Sequence, residues 1–105
     1  MARLDQLQAF LKDSPDDSFI LFAIAKEYEK LQDKENALKY YQDLVAKDAD
    51  YVGTYYHLGQ LLEELEQKDE ALDIYTKGIA IAQKLNDQHA KSELMGVKMN
   101  LEMDL

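Results

Sequence analysis

"LFAIAKEYEKLQDKENALKYY" (residues 21–41) and "YYHLGQLLEELEQKDEALDIY" (residues 55–75) read as two versions of one segment. Overlaid at an offset of 34 residues, they share Glu29/Glu63, Leu31/Leu65, Lys34/Lys68, Ala37/Ala71, Leu38/Leu72 and Tyr41/Tyr75. Other pairs keep their character, among them Ile24/Leu58, Ala25/Gly59 and Tyr28/Leu62. Self-similarity at a fixed period of this size marks a stacked repeat, in which each unit covers a neighbour's apolar face.

Outward from these stretches the chain reads as helix throughout. With one Pro and four Gly in 105 residues there is little turn chemistry for a β architecture, and Ala, Leu, Glu, Lys and Gln favour helix. Leu4, Leu7, Phe10 and Leu11 repeat at helical spacing over residues 2–13. Pro15 then forces its predecessor out of the helical region, and Asp16 or Asp17 can cap a second helix over about 17–31. Asp33 starts a third helix, about 34–47, and Asp50, one period after Asp16, takes the capping place for a fourth, about 51–65. A fifth covers about 69–85. "ND" at 86–87 is a turn, and a sixth helix, about 88–104, carries Ala90, Leu94, Val97 and Leu101 in one stripe. Short polar connections make sequence neighbours antiparallel, so six helices form three hairpins.

The residues at the fixed points of the period resemble the tetratricopeptide repeat (TPR) pattern W-x2-L-G-x2-Y, A-x3-F, P. The second unit reads Tyr55-x2-Leu58-Gly59-x2-Leu62, then Ala71-x3-Tyr75; the first reads Leu21-x2-Ile24-Ala25-x2-Tyr28, then Ala37-x3-Tyr41. Ala49 and Gln83 stand where the terminal Pro belongs, but Pro15 holds that place for the half-unit before. The resemblance divides the single domain 1–105 into an N-terminal capping half-repeat (1–14), repeat 1 (18–51), repeat 2 (52–85) and a C-terminal capping helix (86–105). It implies an all-α solenoid, a right-handed superhelix of antiparallel hairpins. Ala25, Gly59, Ala37 and Ala71 would be small because helices approach closely there.

Composition narrows the function. A net charge of −9, from 12 basic against 21 acidic residues, repels phosphate backbones and argues against nucleic acid and anionic membranes. Without cysteine there is no thiol catalyst or thiolate metal site. Asp5, Gln6 and Gln8 interrupt any signal-peptide core, and no apolar run is long enough to span a bilayer. The expectation is a cytoplasmic protein, and a Met start with a capped far end favours a complete one.

Nothing in the sequence assembles a catalyst. His57 and His89 lie on different helices, Ser14, Ser18 and Ser92 lack an elbow or Gly-rich setting, and His89 with Glu93 is an ordinary surface pair rather than a metal site. The expectation is no enzyme, no metal and no cofactor. The resemblance instead implies a module that holds a protein or peptide on the face lined by the first helix of each pair. On that face it places Phe19, Phe22, Ala23, Lys26 and Glu29, then Gly53, Tyr56, His57, Gln60 and Glu63, with Lys91, Leu94 or Lys98 from the last helix.

From these the partner-binding set is Phe19, Phe22, Lys26, Tyr56, His57, Gln60, Glu63 and Lys91. Phe22 and Tyr56 stand at equivalent places that the repeat does not need, either as binding anchors or as packing between helices. Tyr40 reads as a surface residue. One subclass of the family grips a chaperone's C-terminal carboxylate with Asn and Lys or Arg. Here Phe22, Lys26, His57 and Asp87 occupy the clamp places and only Lys91 matches, so that ligand is not expected. Met95, Met99 and Met103 add a second apolar row to the last helix. Either it covers the long fifth helix, or it docks a second copy or a neighbour as a homodimer or larger self-assembly.

Overall fold

The computed structural model describes residues 2–105, which form six α-helices and no strand. They are α1 (Arg3–Asp13), α2 (Ser18–Lys30), α3 (Lys34–Lys47), α4 (Gly53–Glu64), α5 (Lys68–Lys84) and α6 (Gln88–Asp104). The chain divides into two compact units, the first ending at Tyr51 and the second spanning Val52–Leu105.

In the first unit α2 packs against both α1 and α3. Asp17 caps α2 by accepting from the Ile20 amide at 3.1 Å, and Asp33 caps α3 by accepting from Asn36 at 3.2 Å; each such cap is worth about 1 kcal/mol. Ser18 donates to Asp48 at 2.6 Å, tying the start of α2 to the end of α3. Leu7, Ala23 and Ile24 form a buried cluster, with Leu4, Leu11, Ile20, Tyr28 and Tyr40 packed on it. Tyr40 is therefore no plain surface residue: its ring lies 5.5 Å from that of Tyr28. Phe10 departs in the other direction and is 59% exposed. At ~100° per residue it lies about 90° round the helix from the centre of the Leu4, Leu7 and Leu11 face.

In the second unit α5 packs against α4 and α6, and α6 also touches α4. The expected Asp50 cap does not form. Val52 holds the N-cap of α4, with no side-chain hydrogen bond. The residue that caps α2 is Asp17, and 34 positions on stands Tyr51, which has no short acceptor to offer. Asp87 caps α6, accepting from Ala90 at 3.0 Å.

Three helices end in one device. Gln32, Glu66 and Asn86 adopt left-handed backbone, with φ of 63°, 61° and 57°. The amides of Asp33, Gln67 and Asp87 reach back to the carbonyls of Tyr28, Leu62 and Ala82. This is the Schellman ending, which glycine usually supplies. Asp33 and Asp87 close one helix with the backbone and cap the next with the carboxylate, which keeps the connections so short.

The small positions have their physical reason. A Cβ on Gly59 would stand 2.1 Å from a ring carbon of Tyr75, and one on Gly78 would stand 2.5 Å from Tyr55 Cβ. Ala25, Ala37 and Ala71 are fully buried.

Candidate functional site

On α2 of the first unit lies an open depression of about 520 Å³. Phe19, Phe22, Ala23 and Lys26 line it, at the i, i+3, i+4, i+7 spacing that puts side chains on one helix face. Arg3 from α1 and Lys30, Glu27 and Glu29 from α2 complete the wall. Phe19, in the first turn, is 66% exposed. Phe22 is half-buried, its ring 5.6 Å from Tyr51 and 6.1 Å from Tyr41 in tilted and edge-on contacts. It is thus a fixed wall of the depression and also part of the packing, so both readings of this residue apply together.

The acids of the rim are engaged. Glu27 pairs with Arg3 at 3.6 Å, and Glu29 accepts the hydroxyl of the buried Tyr41. Burial, and then that bond to a carboxylate, raise the Tyr41 phenol well above its ordinary range and keep it neutral. The depression therefore offers an apolar floor beside the cationic chains of Lys26 and Lys30.

The matching α4 residues lie in the second unit. Tyr56 and His57 are half-buried, with ring centroids 5.5 Å apart. Gln60 donates to the Tyr75 hydroxyl at 2.6 Å and to Glu63 at 3.3 Å, while that hydroxyl donates to Glu63. The polar groups of Gln60 and Glu63 are largely spent on the buried tyrosine. The Tyr75 phenol is raised by burial and by Glu63, with Gln60 pulling the other way because its N–H favours the phenolate. Lys91 is half-buried on α6. Leu94, expected beside it on the open face, is 1% exposed and belongs to the core, where one of its methyls would lie 3.0 Å from a Cβ on Gly78.

Sequence reasoning brought Phe19, Phe22, Ala23 and Lys26 to one place and missed Arg3, Glu27, Lys30 and Tyr51. Lys30 was legible as the next residue of the Lys26 row; Arg3 and Tyr51 reach the site only through tertiary packing. Among the described residues there is no group of three His, Cys, Asp or Glu that could hold a metal, and no helix long and apolar enough to cross a membrane.

The model of the tetratricopeptide repeat family matches residues 20–50 and 52–85. The chain belongs to the tetratricopeptide repeat family. A TPR domain protein from Salinibacter ruber, solved in solution, is 43% identical over 84% of this chain and 89% of its own, with a TM-score of 0.81. A protein from Bordetella parapertussis, 24% identical, covers 99% of this chain and 90% of its own at a TM-score of 0.84. The TPR2B domain of yeast Sti1, solved as a complex with pHsp70, is 15% identical and covers 97% of this chain and 82% of its own at 0.89. The last two share the TPR fold with this chain. Among curated proteins none matches.

Proposed function

We propose that the chain is a non-catalytic protein-interaction module that takes a peptide segment on the first helix of its repeats. The observation that carries this reading is the α2 depression, where an exposed Phe19 and a braced Phe22 flank an unfilled space with lysines at its edge. Aromatic anchors beside a preformed hollow are the usual source of binding energy at a small interface. Main-chain hydrogen bonds are satisfied inside helices, so specificity falls to side chains, here Lys26 and Lys30 against acidic or carbonyl groups of the segment. Tyr56 and His57 offer an aromatic and a polar contact on α4. Support also comes from the shared fold, since the yeast neighbour is described as a complex with pHsp70.

Selection from a random peptide phage library, followed by calorimetry with the selected peptide, tests the reading. Phe19→Ala is the clean variant because the side chain is mostly exposed. It should weaken binding about tenfold or more, on the order of 1.4 kcal/mol, with an unchanged melting temperature. Peptides that bind Phe19→Ala and Lys26→Ala as tightly as wild type would remove the α2 face from consideration.

A further inference from the structure

The outward face of α6 carries an apolar seam. Met95, Met99 and Met103 are 49%, 58% and 77% exposed, so the row does not cover α5. The core side of α6 is supplied by Leu94 and Leu101, both 1% exposed. At ~100° per residue, Ser92, Met95, Gly96, Met99 and Met103 fall within an arc of about 100°. No charged residue of α6 falls inside it, in a chain of which 31% is charged.

Gly96 is the second, independent feature. It sits in the interior of a 17-residue helix, where glycine weakens the helix relative to alanine. Nothing lies within 4 Å of a Cβ built on it, unlike Gly59 and Gly78, where a neighbour fills the space. Packing inside the chain does not require this glycine. A helix backbone approaching from outside would.

We propose that this seam pairs with the same seam of a second copy, α6 against α6 in antiparallel sense, in a two-fold symmetric dimer. Self-complementarity singles out this occupant. With the two-fold axis near residue 97, Met95 of one copy meets Met99 of the other. The two Gly96 residues then lie beside the crossing, where the helices come closest. Lys91 and Glu102 border the seam on the same edge, and the antiparallel arrangement sets each Lys91 against the other copy's Glu102. Among the described residues neither forms an ion pair within its own chain. Thioether side chains adapt readily to such a contact. One helix seam makes a small interface, below about 1,200 Å² in total, so the dimer is weak and exchanges.

Sedimentation velocity over a concentration series from micromolar to millimolar tests this, at about 0.15 M salt, where a Debye length of about 8 Å screens the net −9 of each copy. Wild type should pass from monomer to dimer, and Met99→Glu should stay monomeric with unchanged helicity. Gly96→Ala should melt higher in dilute solution yet dimerise less, a pairing of effects that a merely structural glycine would not give. Lys91→Glu and Glu102→Lys should each weaken the dimer, and the two together should restore it. A wild type that remains monomeric throughout overturns the proposal, as does a Met99→Glu variant that dimerises undiminished. Failure of the charge exchange to restore pairing overturns the antiparallel arrangement.

Discussion

At four matched positions the first helix pair carries Leu21, Ala25, Tyr41 and Leu44, and the second carries Tyr55, Gly59, Tyr75 and Gly78. All eight are buried. In α2–α3 the bulk is shared between two leucines, while in α4–α5 it is gathered into the ring of Tyr55, and the space is recovered by the missing side chain at Gly78. Tyr75 likewise sits so close to α4 that only glycine fits at 59, where the first pair has alanine. Cores accept either distribution when total volume is kept, but residues cannot then be exchanged one at a time between the repeats.

The hydroxyls of the two tyrosines are held by matched acids. Tyr41 donates to Glu29 and Tyr75 to Glu63, and Gln60, which stands where α2 has Lys26, donates to the Tyr75 hydroxyl.

The sharpest break in the comparison should come from Gly78→Ala and Gly59→Ala. Each should cost about 1–3 kcal/mol. Neither contact can be relieved by a flexible side-chain end: the Cβ at 78 meets Tyr55 Cβ, fixed to the backbone, and the Cβ at 59 meets the buried ring of Tyr75, whose hydroxyl is held by Glu63 and Gln60. Thermal melts followed by circular dichroism would show a fall of several degrees per kcal/mol for a chain this size. Ala25→Gly in the first pair should lose only about 0.5–1 kcal/mol.

Losses of similar size are expected from Tyr41→Phe and Tyr75→Phe, about 1.5–3 kcal/mol each for a buried bond to a charged group. They also carry a pH signature. Both phenols are raised in the folded state, so the native chain keeps protons that the unfolded chain releases. Stability is therefore complete below about pH 10, the ordinary tyrosine value, and falls as pH rises beyond it. Urea melts between pH 8 and 11 should show that decline in wild type and a flatter profile in the double Phe variant.

A gain is expected at Thr54, whose hydroxyl is buried without a hydrogen-bond partner where the first repeat has Ile20. Thr54→Val should stabilise by about 1 kcal/mol by removing an unsatisfied group. The smallest effects lie in the turns. Glu66→Gly relieves a left-handed residue, and Gln67→Asp gives α5 the side-chain cap that α3 has from Asp33. Each should add about 0.5–1 kcal/mol, read as a shift in the chemical-denaturation midpoint.

All six helices, the order of their hairpins and the repeat family were legible because they rest on local rules. Apolar spacing, short turns and small residues at fixed intervals report what each helix must bury, whichever neighbour covers it. The α2 face was legible as far as Phe19, Phe22, Ala23 and Lys26 because the resemblance to the repeat family implies which helix face is the inner one, and helical spacing sets these residues together on it. Tertiary structure decided the rest. It alone showed that Phe22 leans on Tyr51 and Tyr41, that Glu63 and Gln60 serve Tyr75, that Tyr40 packs on Tyr28, and that the methionines of α6 are uncovered. A repeat pattern specifies which positions are large or small, whereas the partner of a given side chain depends on distances across helices that the pattern leaves open.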